Sequence, residues 1–168
     1  MNTQQAGVVA FHRAMGQPVL PRAQALPVGR IPVRVELIRE EFMELLEALG
    51  WAGEQDSEGH YLFPTNPKVD MVEMADACID LLYVVKGLLT EAGIDDEPLF
   101  DEVQRSNMSK LGADGKPIIA GPNDPDGIFE GRVKKGPNYF KPDLRGILLS
   151  GQADLEYQQL DFGGFEDH

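Results

Sequence analysis

The sequence predicts an all-α fold, a bundle of four main helices followed by an irregular C-terminal extension. Three observations carry that expectation. Apolar residues recur at helical spacing through four stretches; Gly and Pro crowd into the gaps between them and into the last third; and beyond Leu111 the helical periodicity stops. At 168 residues the chain is long enough for a real core and short enough for one domain. Residues 1–111 read as the helical core. Residues 112–168 read as an extension of the same domain, or an arm that contacts another subunit.

The first helix is expected over Thr3 to Met15, with Val8, Val9 and Phe11 as apolar contacts. His12 lies at its end, where it could touch a base or a phosphate, although a lone His is more often a packing or surface residue. Gly16 stops the helix, and Pro18, Pro21, Pro27 and Pro32 keep the following segment extended. A second helix runs from about Val33 to Leu49, with Pro32 suited to its first turn and Gly50 to its stop. Trp51 follows at once, either covering the core end or stacking on a base. Gly53 to Asn66 is a polar connector. The third helix is expected from about Pro67 to Ala92, stopped by Gly93. Asp95 and Asp96 suit the start of a fourth, roughly Glu97 to Leu111.

Two acidic stretches organise this frame. In the third helix, wound at about 100° per residue, Glu73, Asp76 and Asp80 fall within an arc of roughly 60° that also holds Val69, with Val84 and Ala77 beside it. The rest of that wheel is almost entirely apolar, with Lys86 the main exception. A helix apolar all round is a buried helix. Its carboxylates are then expected to be paired, protonated or bound to a cation, because an uncompensated buried ion costs several kcal/mol. In the second helix Glu40, Glu41 and Glu44 span an arc of roughly 100° beside the core stripe of Ile38, Phe42, Leu45 and Leu49. No Lys or Arg stands four residues beyond any of them, and like charges at such spacing destabilise an isolated helix. Facing each other, the two helices would enclose six carboxylates, a hard-oxygen site suited to Mg²⁺ or Mn²⁺. The bland alternative for the second helix alone is a solvated acidic face.

On the fourth helix, Asn107 and Lys110 share a face and Arg105 stands on another. Once a metal has neutralised the acids, a Lys there can hold outer phosphate oxygens as a point charge; otherwise these are solvated side chains at a helix end. Gly131 to Asp143 is the only basic stretch, with Arg132, Lys134, Lys135 and Lys141. It could close over phosphates or simply balance the acidic body. Asp154 to His168 is acidic and rich in Gln and Gly, and is expected to dock weakly or fray.

The run Glu40-Glu41-x-x-Glu44 followed by Glu73-x-x-Asp76 resembles the E-E-x-x-E … E-x-x-D signature of the all-α nucleoside triphosphate pyrophosphohydrolases. That superfamily includes MazG, the dimeric dUTPases and phosphoribosyl-ATP pyrophosphohydrolase. The similarity covers about Val8 to Lys110 and looks closest to the MazG-like phage and bacterial enzymes. It implies that Glu40 or Glu41, Glu44, Glu73 and Asp76 hold Mg²⁺, with Mn²⁺ as a substitute. It also implies cleavage of a nucleotide between its α- and β-phosphates, so that residues 1–111 become a catalytic core. One of Glu40 and Glu41 would bind metal and the other orient or deprotonate the attacking water. The run Ser106-Asn107-Met108-Ser109-Lys110 looks like the element that brings an Asn and a Lys to the phosphates. Asp80 could bind metal, meet the sugar or orient Lys110. Among the resembling enzymes the preferences range over dUTP, dCTP, dGTP and noncanonical nucleotides, and a deoxynucleotide is the expectation here.

Composition narrows the partners. A net charge of −13 and a pI near 4.5 argue against nucleic acid and against an anionic membrane. They leave room for a phosphorylated small molecule, whose charge a metal can offset. The single Cys78 rules out an intrachain disulfide and reads as a small buried hydrophobe in a cytoplasmic chain. The apolar wheel of the third helix wants cover all round, which points to a homodimer or homotetramer. Three rivals remain. Phosphoribosyl-ATP hydrolysis is less attractive given the long loop and extension. A di-iron carboxylate bundle wants Glu-x-x-His pairs, whereas His12, His60 and His168 all lie outside the acidic helices. The non-enzymatic rival is an acidic module that binds a nucleotide or a metal without turnover.

Overall fold

The computed structural model describes residues 1–51, 53–62 and 64–150; the acidic stretch Asp154–His168 lies outside the described residues. The protein is all-α. Its helices are α1 (Thr3–Ala14), α2 (Ile31–Ala48), α3 (Met71–Glu91), α4 (Asp96–Met108) and α5 (Leu144–Ser150), with a single 3₁₀ turn, Val28–Arg30, leading into α2. The four helices expected from periodicity are present within a few residues of their expected ends. The short α5 is an addition, since the extension carried no helical pattern strong enough to mark it. Among the described residues β-pairing is confined to two isolated antiparallel bridges, Gln55 with Tyr61 and Ile119 with Val133.

The chain divides into two compact units, residues 1–94 and 95–168. In the first, α3 packs against both α2 and α1. Asn2 caps α1, its side chain accepting from the Gln5 amide at 2.9 Å, and Val8 and Val9 are buried as expected. The extended segment after α1 runs back along the end of α3, with the amide of Gln24 donating to Ala92 O at 3.0 Å. Gly93 stops α3 at φ +68°, where a Cβ would sit 2.1 Å from Arg22 O. Only glycine serves both demands, the left-handed turn and the close approach.

The ends of α2 and α3 are tied together twice, which makes the pair antiparallel. At one end Arg30 and Arg34, at the start of α2, reach Glu91 in the last turn of α3. At the other, the amide of Asp70 donates to Ala48 O at 3.0 Å, and Gly50 (φ +87°) approaches so closely that a Cβ would lie 2.9 Å from Pro67 Cβ. Residues 51–69 are thus an excursion closed at its base. Its start is fixed by Trp51, which is buried, donates Nε1–H to Glu54 O at 2.8 Å and meets the Tyr61 ring edge-on at 5.0 Å.

The second unit contains α4 and α5. Asp95 caps α4 by accepting from the Glu97 amide at 3.2 Å. The segment after the Ile119–Val133 bridge returns to α4 and is held there by side chains. The Ser106 hydroxyl donates to Phe140 O at 2.8 Å, the Phe140 amide to Ser109 Oγ at 3.2 Å, and the Asp143 amide to Glu102 Oε1 at 2.8 Å.

One expectation fails in a physically informative way. α3 is not covered all round: Val72 is 75% exposed and Ile79 61%, and Met71, Cys78, Leu82 and Tyr83 are exposed as well. The helical wheel establishes that this helix offers apolar surface on most sides. It does not establish what covers each side, and α1 and α2 reach only part of it.

Candidate active site

Within the first unit, α2 and α3 present their acids to a common cleft of about 460 Å³. Glu44 lines it from α2, and Glu73 and Asp76 from α3. Glu41 belongs to the same field. Burial is the main cause raising its carboxyl above the usual carboxylate range, and the charges of Glu44, Asp80, Glu40 and Asp76 add to it. Those four neighbours come from both helices, so the sequence reading that the two acidic rows face each other is met. The reading that the acids sit in apolar surroundings is not. Glu73, Asp76 and Asp80 are exposed, the first two where their face of α3 opens on the cleft.

Two further carboxylates line the cleft, Glu47 and Asp70. Glu47 continues the row of Glu40 and Glu44, one step beyond where the acidic motif stops. Asp70 had its own signal, since Asp70-x-x-Glu73 ahead of an apolar run is a helix-start pattern. The expected helix start at Pro67 concealed it. A second cleft of about 530 Å³ shares Glu44 and Glu47 and reaches Glu40, Met43 and Trp51.

The donor set suits a hard divalent cation: oxygen ligands only, gathered from two helices, with no Lys or Arg among the residues lining the first cleft. The carboxylates nevertheless stand apart. Among the described residues no three His, Cys, Asp or Glu side chains are grouped closely enough to hold a metal ion. Mutual repulsion is the physical reason to expect that spacing between unscreened acids.

The other candidates divide between the two units. His12 is buried, 2% exposed, and structural: its Nδ1 lies 3.1 Å from Pro18 O and its Nε2 3.2 Å from Arg34 Nη2. That pattern fits a neutral ring donating from Nδ1 and accepting at Nε2. Arg34 in turn shares Glu91 with the half-buried Arg30, so four side chains form a polar cluster that periodicity did not reveal. Trp51 fills the core end, as its buried indole and its bond to Glu54 O require. In the second unit Lys110 Nζ donates to Asn107 Oδ1 at 2.8 Å, so these two do share a face. Arg105 is occupied elsewhere: it makes two 2.8 Å bonds to Glu102 and stacks over Phe140 at 4.3 Å. In the basic stretch, Lys134 bridges Asp124 and Asp126 at 2.7 and 2.8 Å, while Lys135 lies over the Tyr139 ring.

Among the described residues no helix is long and apolar enough to cross a membrane. Comparison with solved structures finds a protein from Exiguobacterium sp. 255-15, described provisionally as an NTP pyrophosphohydrolase. It is 23% identical, with 90% of this chain and 96% of that one covered and a TM-score of 0.40. No curated protein sequence matches. The family model described as phosphoribosyl-ATP pyrophosphohydrolase matches residues 8–107, a span that takes in both acidic helices and α4 as far as Asn107. With more than half of its length under that model and its acids ranged along one cleft, the chain belongs to the phosphoribosyl-ATP pyrophosphohydrolase family.

Proposed function

We propose that this pyrophosphohydrolase-family protein is a Mg²⁺-dependent enzyme converting a nucleoside triphosphate to its monophosphate and pyrophosphate. A deoxynucleotide is the preferred substrate, with dUTP, dGTP and dCTP as candidates. The observation that carries the reading is the cleft shared by Glu44 of α2 with Glu73 and Asp76 of α3. These three would hold the cation together with one of Glu40 and Glu41. Bound there, Mg²⁺, or Mn²⁺ in its place, would supply Lewis-acid polarisation of the phosphate oxygens.

The remaining chemistry belongs to the chain. The other member of the Glu40–Glu41 pair orients the attacking water and takes a proton from it. Water oxygen bonds to the α-phosphorus, the α–β P–O bond breaks, and pyrophosphate departs. Lys110, oriented by its bond to Asn107, holds the outer phosphates as a point charge. Asp80 stands one turn beyond Asp76, where it would bind the metal or accept a hydrogen bond from the sugar. The exposed apolar side of α3, from Val72 to Leu82, favours a homodimer or homotetramer. A second reading, with phosphoribosyl-ATP as substrate, is favoured by the description of the matching family.

The deciding experiment is turnover of a panel of ribo- and deoxynucleoside triphosphates and phosphoribosyl-ATP in ¹⁸O-labelled water. Label in the monophosphate with intact pyrophosphate is the expected result. Label in orthophosphate, with diphosphate accumulating, means attack at the outer phosphate and defeats the mechanism.

A further inference from the structure

The start of α3 carries more order than a helix end needs. The Asp70 carboxylate accepts from two amides of the first turn, Val72 N at 2.9 Å and Glu73 N at 3.2 Å. An N-cap acid followed three residues later by Glu ordinarily forms a reciprocal box, in which the Glu side chain reaches back to the N-cap amide. Here that amide is already committed across the helix pair, donating to Ala48 O at 3.0 Å. Glu73 is therefore not required as the return partner. Its carboxylate lines the acidic cleft with Asp70, Glu44 and Asp76.

We propose that Asp70 is the positioning residue of this site. Its side chain fixes the turn that bears Glu73, and its amide ties that turn to the end of α2 at Ala48, four residues beyond Glu44 and one beyond Glu47. Of the two ties that hold α2 against α3, this is the one at the cleft end, next to the acidic rows. Gly50, packed against Pro67 beside it, is the steric half of the same clasp. In this role Asp70 needs an oxygen acceptor but no negative charge, and that separates positioning from ligation. Asn and Ser cap a helix about as well as Asp, whereas Ala does not cap at all. The inference rests on the proposal that the cleft binds a divalent cation.

The test is calorimetric titration of Mn²⁺ into the full-length protein and its Asp70→Asn, Asp70→Ser and Asp70→Ala variants. Circular dichroism establishes that each is folded. Loss of a group that orients a ligand typically weakens metal binding about 10- to 100-fold. Asp70→Ala is expected to fall in that range, with Asp70→Asn and Asp70→Ser within about threefold of the native protein. If Asp70→Ala binds Mn²⁺ like the native protein, or if Asn and Ser are as damaging as Ala, the positioning role is wrong; in the second case the carboxylate is itself a ligand. Failure of the native protein to bind Mn²⁺ overturns the site reading and this inference together, a result distinct from either variant outcome. An unfolded Asp70→Ala leaves the Asn and Ser variants to decide, because damage to both of them refutes the proposal.

Discussion

Replacing Glu91 with Gln should be a costly single change in the first unit. Glu91 is 0% exposed and accepts from both Arg30 and Arg34, with Arg30 Nε at 3.0 Å and its Nη2 at 2.5 Å. Burial by itself would raise the Glu91 carboxyl, but the hydrogen bonds and charges of the two arginines outweigh it and hold the group at about 2 against an ordinary 4.5. By linkage, a displacement of that size corresponds to about 3 kcal/mol of stability at neutral pH. Removing one partner of a buried ion pair costs about 3–5 kcal/mol, since it strands the other charge, and the two routes agree in scale. Arg34 is the group stranded here, its side chain only 6% exposed. At about 2–4 °C per kcal/mol for a chain of this size, Glu91→Gln should lower Tm by roughly 6–12 °C. The pH dependence has a definite sign. A depressed carboxyl contributes its stability in full above about 4.5 and loses it as pH falls toward 2. The gap between native protein and variant should therefore close on acidification. Urea melts at neutral and acid pH, with the Arg34→Met variant and the Glu91→Gln/Arg34→Met pair to complete a double-mutant cycle, measure this directly. A loss under about 1 kcal/mol, or strict additivity in the cycle, would refute the reasoning.

Thermal melts with and without Mg²⁺ or Mn²⁺ should show a metal-dependent rise in Tm, because a ligand specific for the folded state stabilises by mass action. Glu44→Gln and Glu73→Gln should each abolish that rise and the activity while the fold survives; no metal shift, with full activity in chelator, removes the metal site. Lys110→Ala should weaken triphosphate binding and slow pyrophosphate departure, whereas Glu73→Gln should mainly remove the chemical step, a contrast visible in separately measured kcat and KM. Sedimentation at micromolar concentration should find no stable monomer, given the uncovered apolar side of α3; a compact monomer means that this side needs no second copy. Gly93→Ala should cost more than about 2 kcal/mol, since left-handed backbone strain of about 1–2 kcal/mol adds to a clash with Arg22 O that backbone cannot relieve, and a urea midpoint near that of the native protein would show otherwise.

Local rules settled much of this protein from the sequence. Prolines and glycines punctuate the chain where the helices start and stop, because backbone limits act residue by residue, so α1 to α4 were legible within a few positions. Helical winding likewise put Glu40, Glu41 and Glu44 on one arc and Glu73, Asp76 and Asp80 on another, since residues three and four apart must share a face. What tertiary structure decided is everything that depends on one element meeting another. Periodicity identified α3 as apolar on most sides but could not assign a cover to each, and Val72 and Ile79 stand exposed. His12 and Trp51 carried no local mark separating a substrate contact from a packed side chain; the approach of Arg34 to one ring and the bond to Glu54 O from the other made both structural. The Arg30–Arg34–Glu91 cluster joins residues about sixty positions apart, and Asp70 meets Glu47 across the cleft where its amide bonds to Ala48 O. Charges so distant in sequence carry no mutual periodicity, and chain closure alone brings them within range of one another's fields.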